Sequence, residues 1–331
     1  MRIILRHMSR VNDILNDNEI IESYIAYLND EKTRLESTSG GLFYAFAEAF
    51  ILDGGVVYGV AFDEQFIPQH IRVTEMSDLK KIQGSKYPQS NLNDVFKRVK
   101  KDLSDGFNVL FSGTPCQVAG LKCYLGKNFN NLLTIDLICH GVPSPGIWRK
   151  YLNYYFDVNE IRRIVFKHKI NGWKSWRVFI ELKNEIYQKE RGDDVYMASY
   201  LNGWNMRPSC NYCKFKGISN HYSDITIADA WGKAEQDKYM NDNKGLSSVL
   251  IYTSKGEDAF FEIKNKLVYK NFPSEDIISG NLAYMNSARH HFLRQKMMKK
   301  TNKKITYITV FSNNCIIGKI IRKMNDLGQR R

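Results

Sequence analysis

Long apolar runs are missing from this chain of 331 residues. No stretch approaches the ~18 consecutive apolar residues of a membrane-spanning helix. Residues 1–20 lack the apolar core and small-residue cleavage site of a secretory signal. With 43% hydrophobic and 25% charged residues, the composition predicts a globular, cytoplasmic protein. Zinc-finger spacing, an aromatic RNA-binding signature and internal repeats are also lacking, which argues against a nucleic-acid-binding module. Acidic residues are outnumbered, 35 against 48 lysines and arginines, for a formal charge of +13. The excess gathers in residues 294–304 and 319–331. Such a tail attracts anionic partners, and peripheral contact with an acidic membrane is one use for it; a solvated surface is the plainer meaning. Cysteine is scarce as well: Cys116, Cys123, Cys139, Cys210, Cys213 and Cys315, with none before Cys116. In a long chain of this class a Cys-x-x-Cys pair points to metal or redox chemistry rather than to a disulfide framework.

What is present is a doubled pattern. Residues 108–116 form a short apolar run that ends in Ser112, Gly113, Thr114, Pro115 and Cys116, followed by a helix-like segment over 117–125. Residues 132–141 repeat the scheme, ending in Cys139, His140 and Gly141 before a second amphipathic segment over 147–156. Each unit reads as strand, turn with one cysteine, then helix. In open α/β sheets the carboxyl ends of strands are where ligands sit, because loops diverge there and helix N-termini present their N–H groups.

Around these units the chain predicts a helix over 14–28, another over 42–52 and strands over 56–62 and 70–74. A basic amphipathic helix follows over 92–103, then β-type alternation through 161–185. A helix is expected over 196–204, strands over 223–232 and 247–252, a helix over 257–267 and a short amphipathic one over 316–324. The turn with Ser39, Gly40 and Gly41 opens the helix at residue 42; it suits a phosphate or a plain N-cap. The loop with Ser85, Lys86 and Tyr87 combines a hydroxyl, a cation and a ring, as either a ligand loop or a surface turn. Trp173 and Trp176 flank Lys174 and suit stacking on a flat ligand or, more simply, core packing. Cys123 reads as a buried structural thiol and His140 as a supporting group beside Cys139.

Cys116, Cys139, Cys210 and Cys213 supply four thiolates, two at strand ends and two in one tight loop. Four thiolates suit a [4Fe–4S] cluster or a structural zinc ion. Zinc sites of this type usually show two Cys-x-x-Cys knuckles, so iron–sulfur is favoured.

At these residues the chain resembles the beta subunit family of coenzyme F420 hydrogenases and dehydrogenases, whose relatives include a chlorophyll-metabolising reductase. The motifs are Ser-Thr-Ser-Gly-Gly (37–41), Gly-Ser-Lys-Tyr-Pro-Gln-Ser (84–90) and Phe-Ser-Gly-Thr-Pro-Cys-Gln (111–117). They continue as Asp-Leu-Ile-Cys-His-Gly-Val-Pro-Ser-Pro (136–145), Arg-Pro-Ser-Cys-Asn-Tyr-Cys (207–213) and Ser-Asp-Ile-Thr-Ile-Ala-Asp-Ala-Trp-Gly (223–232). The resemblance implies an α/β fold with a mixed sheet, built as an N-terminal family domain (1–92) packed with a C-terminal one (93–270), and a basic helical tail (271–331). It implies an oxidoreductase using FAD and iron–sulfur, passing electrons between a cluster, the flavin and a small hydride donor or acceptor, coenzyme F420 or another. Cys116, Cys139, Cys210 and Cys213 would hold the cluster. Ser39, Gly40, Gly41, Ser85, Lys86, Tyr87, Ser112, Gly113, Thr114 and His140 would line the flavin; no catalytic residue is assigned. The ferredoxin-like segment that opens many relatives has no counterpart before Cys116, so a separate ferredoxin or electron-transfer subunit is expected. Relatives of this stand-alone kind accompany surface-polysaccharide genes, which extends the expectation to a redox step in that synthesis. The alternative is a zinc-stabilised scaffold that keeps the fold without redox activity.

Overall fold

The computed structural model describes residues 19–217, 221–289 and 294–305. In chain order the elements are β1 (Glu22–Leu28), α1 (Glu31–Glu36), α2 (Leu42–Leu52), β2 (Val56–Phe62), β3 (Pro68–Val73), α3 (Met76–Ile82) and α4 (Val95–Ser104). There follow β4 (Val109–Ser112), α5 (Pro115–Leu125), β5 (Leu132–Leu137), α6 (Pro145–Tyr155), β6 (Ile161–His168), β7 (Arg177–Leu182), β8 (Ile186–Glu190) and α7 (Val195–Leu201). The last are β9 (Ile225–Asp229), β10 (Ser247–Ile251), α8 (Ser254–Ile263), β11 (Leu267–Asn271), α9 (Ser274–Gly280) and α10 (Arg294–Lys303). The fold is mixed α/β. Among the described residues no helix is long and apolar enough to cross a membrane.

Eight strands form one sheet in the order β11-β1-β10-β9-β5-β4-β2-β3, and β6, β7 and β8 form a second, antiparallel one. Strands β2, β4, β5 and β9 run parallel at the centre of the large sheet. β2, β4 and β5 are buried almost throughout, which is why each reads as a short, largely apolar run. Alternate residues divide cleanly: Val57, Leu110 and Leu133 face a core shared with α2, α3 and α8. Val56, Tyr58, Val109 and Phe111 face α4 and α5. The segment between β5 and β9 builds a separate, aromatic core from α6, the small sheet and α7, with Trp148, Tyr151, Tyr196 and Trp204 inside it. This second body sits over the carboxyl edge of the large sheet, so loops leaving β2, β4, β5 and β9 meet it.

The helix expected over 14–28 is a strand from Glu22 to Leu28, residues 14–18 lying outside the described ones. Tyr24, Ala26 and Leu28 enter one core and Ile25 another. A strand filled on both faces loses the alternation that distinguishes it from a buried helix. Cys123 is exposed rather than buried. On α5 it is Val118, Leu121 and Leu125 that turn inward, and position 123 falls on the opposite side of the turn. Cys315 and the helix expected over 316–324 lie outside the described residues.

The turn before α2 is held between β1 and the chain entering β10. The Ser39 hydroxyl donates to the Leu246 carbonyl (2.5 Å) and the Gly40 N–H donates to Ser247 Oγ (2.9 Å). A Cβ on Gly40 would lie 2.5 Å from the Ala26 carbonyl oxygen. Gly41 is the N-cap of α2 in the left-handed region, φ 90°, where glycine carries no steric penalty. Gly40→Ala should therefore destabilise the fold by about 2 kcal/mol or more, seen as a lower urea midpoint; an unchanged midpoint would refute this account of the turn.

His221 is stacked between Tyr252 and Tyr284, with ring centroids 5.3 and 4.3 Å away. Burial, with Lys216 adding to it, pushes its imidazole down to about 4, whereas an unfolded chain binds that proton near 6.5. Between pH 6.5 and 4 the unfolded state takes up a proton that the native state refuses, so stability falls as pH drops through that window, by up to about 3 kcal/mol. His221→Phe keeps the stack and should flatten the dependence in urea melts at pH 7.5 and 5. His70, held by burial at about 4 as well, leaves a residual slope. An equally steep profile in His221→Phe would count against the assignment.

Candidate functional site

Three loops at the carboxyl edge are stitched together by the protein's own hydrogen bonds. Thr114 caps α5: its N–H donates to Gln117 Oε1 (3.0 Å), and Gln117 Nε2 donates to Ser90 Oγ (2.9 Å), which ties the loop ending in Ser90 to the turn after β4. His70 Nε2 lies 3.0 Å from the Ser112 carbonyl. The Ser85 N–H donates to Thr38 Oγ1 (2.7 Å), joining the same loop to the turn before α2. The sequence-predicted flavin residues thus share one edge of the molecule, but their polar groups are not equally free. The Lys86 ammonium donates to the carbonyls of Lys81, Gln83 and Gly84 at 3.0, 2.8 and 3.1 Å, closing the C-terminal end of α3. Burial lowers it to about 7. The Tyr87 ring packs 5.3 Å from Phe166 and 4.7 Å from Tyr200, and the His140 ring lies 5.6 Å from Tyr200.

The cysteines converge from both bodies. Cys116 is the second residue of α5, with Thr114 Oγ1 3.2 Å from its sulfur. Cys139 follows β5, and the Gly141 N–H donates to its sulfur at 3.3 Å. Gly141 has φ 113°, and a Cβ there would lie 3.0 Å from Met206 Sδ and 3.4 Å from Cys210 Cβ. The loop after Cys139 therefore lies flat against the loop that carries Cys210. An isolated β-bridge between Pro143 and Met206 and the bond from Arg207 N–H to the Val142 carbonyl (2.9 Å) extend the contact. Cys210 lies within a 3-10 turn, Pro208–Tyr212, and Cys213 caps its end. The Cys210 carbonyl accepts from Ala288 N–H (3.0 Å), and the Cys213 N–H donates to Ser287 Oγ (3.1 Å).

The electrostatics register this convergence. Burial pushes the Cys139 thiol up to about 12, against the pull of Lys216 and with further push from the Cys116 and Cys210 sulfurs. Cys116, open to solvent on one side, is raised chiefly by the protein packed around it; the Thr114 hydroxyl opposes this, and the Cys213 and Cys210 sulfurs add to it. All four sulfurs thus lie in one electrostatic neighbourhood. Among the described residues no group of three or more His, Cys, Asp or Glu side chains is drawn together tightly enough to hold a metal ion as it stands.

A charged cluster that sequence reading did not assemble lies beside this edge. Lys167 of β6 is 6% exposed and forms an ion pair with Asp229 at the end of β9. Its ammonium lies 5.5 Å from the Trp176 ring and 5.4 Å from the Trp231 ring. Asp229 accepts from the Trp173 indole N–H (3.3 Å), and Trp173 stacks on Trp231 at 4.3 Å. Both Trp173 and Trp176 are buried, the core-packing use of the pair. Burial alone would lower the Lys167 ammonium; Asp229, then Tyr87, more than reverse this and hold it above its ordinary value. Asp229 and Trp231 stand in the 223–232 motif, whereas Lys167 reads in sequence as one cation among several.

The chain belongs to the family defined by the C terminus of the coenzyme F420 hydrogenase/dehydrogenase beta subunit, whose model matches residues 107–276, half of the chain. The match spans all four convergent cysteines and Asp229. A search of curated proteins finds no match. Among solved structures the fold is similar to a chain of the F420-reducing [NiFe] hydrogenase complex from Methanosarcina barkeri, with TM-score 0.54 and 16% identity, covering 90% of this chain and 95% of that one.

Breaking the Lys167–Asp229 pair from one side leaves a buried charge uncompensated, which costs about 3 kcal/mol or more. Asp229→Asn should show that loss in chemical denaturation. A change under about 0.5 kcal/mol, the range of an ordinary surface substitution, would mean that solvent reaches the pair.

Proposed function

We propose that the protein is an iron–sulfur flavoprotein oxidoreductase, with Cys116, Cys139, Cys210 and Cys213 as the ligands of a [4Fe–4S] cluster and FAD bound along the carboxyl edge. The observation that carries this reading is the direct packing of the Cys139 loop on the loop that carries Cys210 and Cys213, with Cys116 at the end of the neighbouring strand. The local fabric suits a bulky cluster. Gly141 brings its backbone where a side chain would clash, and its N–H already points at the Cys139 sulfur, the kind of hydrogen bond that tunes a cluster's potential. When bound, such a cluster carries single electrons and a flavin exchanges them for hydride.

The chain's own part is binding and positioning. Burial raises the Cys116 and Cys139 thiols, so loading there releases protons and retention strengthens as pH rises. Lys216 donates to the carbonyls of Cys139 and Ala283 and fixes the loop from below. For the flavin, the Ser112 and Ser85 hydroxyls and the rings of Tyr87 and His140 are the groups on offer; Gly113 and Thr114, whose N–H groups are already paired, and Ser39, Gly40, Gly41 and Lys86 act by shaping the turns. The hydride partner is coenzyme F420 or another planar or carbonyl compound, a step in polysaccharide synthesis being one setting. A separate electron-transfer protein supplies or accepts the electrons; the likeness to a chain of a multi-subunit hydrogenase supports such a partner.

Anaerobically purified protein should contain about four irons per chain, with absorbance near 400 nm, and FAD on release. Cys210→Ser/Cys213→Ser should lose the iron and the band. Unchanged iron in that variant would remove these cysteines as ligands; one zinc and no flavin in the wild type would establish a structural metal site instead.

A further inference from the structure

Two of the sequence motifs carry aspartates that the cysteine site does not use, Asp136 on β5 and Asp224 just before β9. Both are buried, at 1% and 3% exposure, and Asp136 lies opposite Thr226 in the parallel pairing of the two strands. Their surroundings differ. Asp224 accepts from the Thr134 N–H and hydroxyl (both 2.7 Å) and from the Thr253 hydroxyl (2.9 Å), with the Lys255 ammonium 3.7 Å away. Such donors satisfy a carboxylate. Asp136 is poorly met: its Oδ1 bonds the Thr226 hydroxyl, while its Oδ2 is sealed from solvent with no partner among the described residues. An ionised carboxylate left so is costly, and the group holds a proton more readily than an exposed acid does. Burial pushes it up to about 7, against the pull of Thr226, Ser223, Lys122 and Lys216.

Charged and titratable groups reach Asp136 from each element packed around it. Lys122 of α5 lies within the field of both aspartates. Lys216 holds the Cys139 carbonyl and acts on Asp136 and on the Cys139 thiol alike. On the β9 side the Thr226 hydroxyl also meets that of Tyr252, which lies 3.5 Å from the Tyr284 hydroxyl, and His221 is stacked on both rings. Hydroxyls thus lead from the carboxyl across β9 and past the end of β10 to the segment after α9. Such a row passes a proton by rotation of its O–H groups. Asp136 is three residues from Cys139, so their backbones are no more than about 11 Å apart.

We propose that Asp136 is a redox-linked proton site: it takes one proton from water as the cysteine site takes one electron from its one-electron donor, and returns the proton when the electron leaves. This coupling rests on the redox reading of the cysteines. Only an O–H bond forms and breaks. At about 11 Å and an effective dielectric constant near ~20, one added negative charge raises the proton affinity of a carboxylate about tenfold. Linkage is reciprocal, so the bound proton raises the reduction potential by the same factor, about 59 mV for one electron. A hydride is two electrons and one proton. A proton held behind the cysteine loops keeps charge from accumulating while those electrons arrive singly.

The reduction potential of anaerobic full-length protein is measured by spectroelectrochemistry across about pH 5 to 10, with iron content and reduced-minus-oxidised infrared spectra on the same sample. The wild-type potential should fall by about 59 mV in total, mostly between about pH 7 and 8, and level off on either side. Asp136→Asn, which keeps the shape and charge of the protonated acid and therefore folds, should lose that step and hold the higher potential throughout. Thr226→Val removes the hydroxyl on Oδ1 and should move the step to higher pH. Asp258→Asn, on the exposed face of α8, should leave it in place. A carboxylic-acid C=O band that grows on reduction, shifts in D2O and is missing from Asp136→Asn is the independent readout. A step of equal size in Asp136→Asn, or a wild-type potential independent of pH, overturns the assignment. Protein without iron defeats the redox reading and the coupling with it; iron with an unmoved step defeats the coupling alone.

Discussion

Two lysines near the end of β6 hold the molecule together. Lys169 is 8% exposed and donates to three carbonyls, those of Arg34, Ser39 and Lys244, at 2.7, 2.6 and 2.8 Å. Two residues earlier Lys167 reaches Asp229. Arg34 completes the knot, with Nε on the Gly245 carbonyl (2.8 Å) and its guanidinium on Asp242. Buried cations are tolerated only when their donors are met. Here meeting them requires the helical turn after β1, the loop before β10 and the second body to lie where they do. The overhang of the small sheet above the carboxyl edge, and with it the meeting of the cysteine loops, follows from that requirement.

Packing and chemistry meet along one line. The Ser112–Thr114 turn at the carboxyl edge is kept in place by buried neighbours, Gln117, Ser90 and His70. The convergent glycines divide the same way. Gly40 is there because strand β1 passes too close for a side chain, whereas Gly141 lets two cysteine loops touch. One residue type serves the sheet in the first case and the site in the second.

The strand–cysteine–helix units were legible because period and punctuation agreed: apolar runs of strand length, then Pro115 or Pro145 at a helix start. The helix from Leu42 to Leu52 was legible for the same reason. β1 was not, since Ile25 and its neighbours Tyr24 and Ala26 are buried on opposite faces. The part of Lys167 was not legible either, because the bulge in β6 between Val165 and His168 leaves no mark in composition and only pairing with β7 shows which way the side chain turns. The polar segment over 235–245 carries no periodicity, yet Asp242, Asn243 and Gly245 in it anchor Arg34, Trp173 and Lys174. Its information lies in partners more than 60 residues away in the chain.

The aromatic body is spliced between β5 and β9, two strands that lie side by side, with Ile135 opposite Ile225. Its ends are brought together by the sheet, so its own length is thermodynamically cheap: doubling such a loop adds only about 0.6 kcal/mol of closure entropy. The sheet is thus a chassis, and loops of the aromatic body away from the Lys167 and Lys169 anchors can lengthen at little cost while the eight strands beneath keep their register.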